Sequence, residues 1–151
     1  MGAIMEFTTE KQIESFLSTC HIEGKKNFLM AFKKKTWLKS FIDFFIIGGS
    51  YYVQSSVKPK IIAFTPKGIY LMDISDVIEN RSHQVVEMPW NQVQDFTYQT
   101  VLNTVRLNWN YQNEDYIFAV EVGQISQCVG KYQFNKDHYD YLAQHDFFRS
   151  K

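Results

Sequence analysis

Four histidines, two cysteines and a Gly48-Gly49-Ser50 step are the residues of this chain whose types could carry catalysis or hold a metal. His138 and His145 are seven apart, so on a helix they share a face but lie about 10 Å apart along the axis, too far to bind one ion unaided. There is no H-x-x-x-H pair, and Asp137, Asp140 and Asp146 around them read as the solvated face of an acidic helix. His21 and His83 have no acid at useful spacing. Gly48-Gly49-Ser50 lacks G-x-S-x-G, the Gly-Lys-Ser/Thr of a phosphate loop and any G-x-G-x-x-G, and it reads as a helix stop. A dyad of Cys128 with a histidine is weaker than the reading of a small buried thiol. No catalytic residue, metal or cofactor is therefore expected, and the chain is not expected to be an enzyme.

Binding has more support. Lys25, Lys26, Lys33, Lys34, Lys35 and Lys39 flank an aromatic run from Trp37 to Ile47, and basic residues beside an amphipathic aromatic helix suit anionic lipid headgroups. Lys33, Lys34, Lys35, Trp37 and Lys39 are the candidate contacts. The formal charge is zero, but residues 1–70 carry ten Lys/Arg against five Asp/Glu and residues 71–151 carry six against eleven. A neutral chain with an acidic second half does not suit nucleic acid. A protein partner fits the same surface. Self-association through Trp37, Phe41, Phe45, Ile46 and Ile47 is a further expectation, because helical spacing returns both isoleucines to the polar side. The alternative is a small hydrophobic-ligand binder, with thirteen Phe and nine Tyr lining a pocket in a curved sheet.

At 151 residues, 45% of them hydrophobic and 17% aromatic, the chain suits one globular domain with a bulky core. Two cysteines without repeated spacing fit a reducing compartment, and the charged start lacks the regions of a secretory signal. Met1-Gly2 is not followed by the Ser or Thr of a myristoylation motif. The eleven residues Trp37–Ile47, interrupted by Lys39 and Asp43, are too few for a bilayer that needs about 20. A cytoplasmic protein, in peripheral contact with a membrane at most, is the expectation.

The elements that would position these residues follow from periodicity. Thr9 and Gln12 have capping-box spacing, and Ile13, Phe16, Leu17 and Cys20 then share one helical face. Trp37–Ile47 reads as a second helix, capped by Thr36 and stopped at Gly48-Gly49, so residues 1–49 form a helical N-terminal region. From residue 60 strand signals take over. Thr65-Pro66-Lys67-Gly68 reads as a type I turn with Gly68 left-handed, an architectural hinge and no active-site loop. Val85, Val86 and Met88 form a short run closed by Pro89, and Phe96 alternates with Tyr98. Val105, Leu107, Trp109 and Tyr111 alternate with Thr104, Arg106, Asn108 and Asn110, giving one buried and one wet face. Gln112-Asn113-Glu114-Asp115 turns the chain into Tyr116–Val122. Asn135 offers an N-cap to a last helix with Tyr139, Leu142 and Ala143 as its apolar stripe.

Five segments carry a resemblance to a known family. They are 61-IIAFTPKGIYLMD-73, 86-VEMPWNQVQDFTY-98, 104-TVRLNWNY-111, 116-YIFAVEV-122 and 136-KDHYDYLAQHDF-147. In this order they resemble the bacterial pleckstrin-homology-like (PH-like) domains, in which a hairpin, further amphipathic strands and a C-terminal helix build a bent antiparallel barrel. The resemblance covers roughly residues 60–147, and the apolar insert between Lys35 and Lys60 has no counterpart in it. It implies an α+β, mainly β fold: a PH-like barrel over 50–151 behind the N-terminal helices. It also implies a non-catalytic cytoplasmic binding or scaffolding module, and no particular ligand.

Overall fold

A computed structural model describes residues 10–34, 59–122 and 134–149. Seven antiparallel strands form one sheet: β1 (Phe28–Lys34), β2 (Pro59–Thr65), β3 (Gly68–Asp73), β4 (Val86–Pro89), β5 (Val93–Val101), β6 (Thr104–Tyr111) and β7 (Glu114–Glu121). Their order is β4-β3-β2-β1-β7-β6-β5, a meander in which the first strand pairs with the last. Among the described residues three α-helices accompany it: α1 (Glu10–Thr19), α2 (Ile74–Ile78) and α3 (Phe134–Gln144). The fold is mostly β with some α.

Strand composition decides which faces are covered. In β6 the alternation holds as expected: Val105, Leu107 and Trp109 are buried and the residues between them are not. This strand has one wet face. β1 and β2 instead carry unbroken apolar runs, Phe28–Phe32 and Ile61–Phe64, buried residue after residue. Such runs need cover on both faces. One face joins the main core of Leu29, Ala31, Ile62, Phe64, Ile69, Met88, Leu107, Trp109 and Phe118. The other takes Phe28, Met30, Ile61, Ala63 and Met72 against Ile13, Phe16 and Leu17 of α1 and Val77 of α2. The sheet also curls on itself: the Trp109 indole N–H lies 3.2 Å from the Met88 sulfur of β4, and the Tyr111 hydroxyl lies 3.5 Å from the Glu87 carbonyl.

One expectation changes here. Phe28–Lys34, assigned from sequence to a helical N-terminal region, is the central strand of the sheet, because an apolar run of strand length buried on both faces lacks the alternation that marks a half-exposed strand. The Trp37–Ile47 helix lies outside the described residues.

The Thr65–Gly68 hinge is a tight hairpin, with Thr65 and Gly68 in register across Pro66 and Lys67. The Thr65 hydroxyl accepts from the Lys67 and Gly68 amides at 3.1 and 3.3 Å. Gly68 is not in the left-handed region. It is needed for close approach, since a Cβ there would sit 2.3 Å from the Met88 carbonyl oxygen and 2.8 Å from the Pro89 Cα of β4. Backbone cannot yield as a flexible side chain can. Gly68→Ala should cost about 2–3 kcal/mol in a urea titration, the range for overpacking. A cost below about 0.5 kcal/mol would show that β4 yields.

Candidate functional site

Strand register sorts the connections onto two ends of the curled sheet. The β1–β2, β3–β4 and β6–β7 connections share one end; the β2–β3 and β5–β6 turns share the other. α3 packs at that second end, where its Asn135 and His138 meet Met30 and Phe28.

Lys33 and Lys34 belong to the end without α3. Lys33 is in register with Phe118, so it shares the inner face with the core residues of β7. Its ammonium lies 5.2 Å from the centroid of the Tyr116 ring and 3.8 Å from the Glu114 carboxylate. Tyr116 stacks on Trp109 at 5.6 Å and 6°, and Trp109 on Phe118 at 5.4 Å and 18°. Lys33 thus stands at the rim of an aromatic column that runs into the core. Its side chain is 40% exposed, and a surface ion pair of this kind contributes at most about 1 kcal/mol. An incoming phosphate can displace Glu114 at little cost. Burial, and then the Glu114 charge, push the Tyr116 phenol above its ordinary pKa, so it stays neutral beside that ammonium. Lys34 is the last residue of β1, in register with Ile117. Lys35, Trp37 and Lys39 lie outside the described residues, as do Phe41, Phe45, Ile46 and Ile47.

The α3 end holds a polar cluster whose role is structural. Phe32 of β1 registers with Ala119 of β7, but two residues earlier the ladder is continued by α3. The Asn135 side-chain oxygen accepts from the Met30 amide at 2.9 Å, and its NH₂ donates to the Met30 carbonyl at 2.9 Å and the Glu121 carbonyl at 3.2 Å. An amide side chain stands in for a strand residue. Two residues earlier again, His138 Nδ1 lies 2.8 Å from the Phe28 carbonyl and Nε2 lies 2.9 Å from the Glu10 carboxylate of α1. Both ring nitrogens are thus engaged, one at a backbone carbonyl of β1 and the other at a side chain of α1. The spacing is geometric: three helical residues rise about 4.5 Å, close enough to the ~6.7 Å of two strand residues for side chains to span the difference.

His138 is 0% exposed, and Asn135 sits inside α3 rather than capping it as its position in the sequence suggested. Sequence reasoning missed this pair because a polar residue that bonds to another strand's backbone leaves no local pattern. The available signal was N-x-x-H on the same helical stripe as Leu142.

After α3, Asp146, Phe147 and Phe148 all have left-handed backbone, at φ 52°, 57° and 59°. That conformation costs roughly 1–2 kcal/mol per residue. Phe147 offsets it: fully buried, it meets Phe64, Phe96, Tyr98 and Tyr139 at 4.9, 5.4, 4.5 and 6.2 Å between ring centroids. Burying a Phe contributes about 3 kcal/mol and each good ring pair about 0.5–1.5 more. The Arg149 guanidinium donates to the Phe96 carbonyl at 3.1 Å and to Asp146 at 2.9 Å, fastening the turn. These rings touch one another and fill the sheet's interior, which supports a core role for them over a ligand pocket.

Elsewhere the polar groups are committed to the fold. Buried Asp76 pairs with Arg81 at 2.9 Å, and buried Asn27 bonds to Lys25, Glu23 and Phe64 backbone. Burial pushes the Cys20 thiol above its ordinary pKa, away from a reactive thiolate. Among the described residues no His/Cys/Asp/Glu group could hold a metal, and no helix is long and apolar enough to cross a membrane. An open cleft of 370 Å³ between α1 and α2 has Phe16 and Val77 among its lining residues, with Lys11, Ser15, Thr19 and Asn80 around them.

No protein-family model matches the chain, and no curated protein is similar to it. Among solved structures it is similar to the C-terminal domain of an unknown protein from Leishmania infantum, at 9% identity and a TM-score of 0.43, over 92% of this chain and 96% of that one.

Proposed function

We propose that this chain is a non-catalytic binding module of the PH-like kind, which meets an anionic membrane surface through the end of the sheet away from α3. The observation that carries it is the topology: an antiparallel meander closed by β1 pairing with β7, with a C-terminal helix at one end. Its antiparallel strands from residue 59 onward and its C-terminal helix are in keeping with the resemblance, which supports the reading. The last residues of β1, β3 and β6 lie at the end away from α3, and in sequence Lys33, Lys34 and Lys35 lead out of β1 there. Lys33 adds an ammonium over a stacked aromatic column, whose rigidity lowers the entropy lost on ordering a long cationic side chain. Trp37 and Lys39, in the same connection, extend the contact. The buried polar groups Asn27, Thr65, Asp76, Asn135 and His138 each serve a backbone or a neighbouring element, which supports binding over catalysis.

Co-sedimentation with phosphatidylserine-containing vesicles tests this. The chain should pellet with them at low salt and be released toward 0.5 M salt, and changing Lys33, Lys34 and Lys35 together to Gln should weaken binding by about 10²-fold, at roughly 1 kcal/mol per basic residue. Failure of the unaltered chain to pellet at low salt would end the lipid proposal. It would leave a protein partner, or self-association through Trp37, Phe41, Phe45, Ile46 and Ile47, as the role of this end.

A further inference from the structure

The two edges of the sheet are protected unequally. β4 is four residues long, ends in Pro89 and has 3₁₀ turns on either side, Ser82–Gln84 and Trp90–Gln92; its Glu87 carbonyl is also met by Tyr111. β5 is nine residues, the longest strand among the described residues, and among them it pairs on one side only, with β6. Its first half is blunted by a bulge between Gln94 and Thr97, with Asp95 at φ 57°, and by Arg149 on the Phe96 carbonyl. Its second half, Thr97–Val101, has no charge, no proline and no bulge, and Thr97, Gln99 and Thr100 are exposed. Sheet proteins ordinarily guard such an edge, because its unpaired backbone groups recruit another strand.

We infer that Thr97–Val101 is an interaction edge and that its occupant is the same strand of a second copy, joined antiparallel about a two-fold axis. Three features favour a second copy. First, a two-fold axis normal to the sheet keeps inner faces on one side and permits only registers centred on a residue. The register centred on Gln99 sets Thr97 against Val101 and Tyr98 against Thr100 of the second copy, with no charge opposed to any other. Second, the same register sets Leu102 just beyond Thr97 of the second copy, at the end of the paired segment. Leu102 is 69% exposed and forms the left-handed corner of the β5–β6 turn, more exposed than the other exposed large hydrophobic residues among those described, Ile78 and Val86 at 43% each. Pairing covers it. Third, the whole chain has no net charge, so copies do not repel at long range.

Sedimentation equilibrium on the full chain, with charge reversal at the axis, tests this. Gln99 lies on the outer face opposite Arg106 and outside the core, so substitutions there leave the monomer folded, which circular dichroism verifies. The unaltered chain should dimerise. Gln99→Lys and Gln99→Glu alone should each weaken the dimer at least about tenfold by opposing like charges directly, and mixing the two should restore it as a heterodimer. Gln99→Cys should form an intermolecular disulfide under mild oxidation. A chain that stays monomeric to millimolar concentration overturns the inference. So does a dimer insensitive to both charges, which would place self-association elsewhere, or an edge that pairs only with a peptide of different sequence.

Discussion

Asn135→Ala should destabilise the fold by about 3–5 kcal/mol. The substitution removes a side chain, but the cost lies in what it orphans: the Met30 amide, the Met30 carbonyl and the Glu121 carbonyl, each bonded by Asn135 at the point where β1 and β7 part. A buried polar group left without a partner costs roughly 1–3 kcal/mol, and Asn135 is 1% exposed, so water does not reach the gap freely. Asn135→Asp should cost at least as much, since it keeps the acceptor for the Met30 amide but turns a buried carboxylate oxygen toward the Met30 and Glu121 carbonyls. Urea titration of the three proteins checks this. A loss below about 1 kcal/mol for Asn135→Ala would mean that β1 and β7 zip together without α3.

Phe147→Ala should cost about 3–4 kcal/mol, the usual range for emptying a buried aromatic site. The informative partner is Phe148→Gly. Phe148 shares the left-handed backbone but is only partly buried, so glycine there should relieve about 1 kcal/mol of strain and offset the loss of its contact with His145, 5.1 Å between ring centroids. Thermal unfolding of both variants should show a large fall for Phe147→Ala and a change within about 0.5 kcal/mol for Phe148→Gly. If both fell equally, the turn would be held by all its side chains and not by the one ring in the core.

The contrast between these residues shows what was legible in the sequence. β6 was legible because one face is wet, so Val105, Leu107 and Trp109 stand out against polar neighbours. The hairpin at Pro66-Lys67 was legible from turn chemistry, though the reason for Gly68 was not: the backbone it accommodates belongs to Met88, twenty residues on. β1 was not legible as a strand, since Phe28–Phe32 is covered on both faces and has no alternation to read. α1 was legible from Ile13, Phe16 and Leu17, all buried as their spacing implies. The polar ladder of Asn135 and His138 was invisible for a different reason. Its β1 partners are 105 to 110 residues away, and hydrogen bonds to a backbone impose nothing on the sequence of that backbone. At the candidate site the lysines could be named from sequence, whereas the Tyr116-Trp109-Phe118 column beneath Lys33 required the register of β1, β6 and β7.

The central claim is that the end of the sheet away from α3 meets an anionic surface. The most direct measurement is paramagnetic broadening of backbone amide resonances by spin-labelled lipid in phosphatidylserine-containing vesicles, on the full chain. Broadening should centre on Lys33 and Lys34, the Gln112-Asn113 turn and the β3–β4 connection, and should spare the amides of α3. Broadening centred on α3, or none at salt concentrations where the vesicles are otherwise bound by polybasic segments, would contradict it.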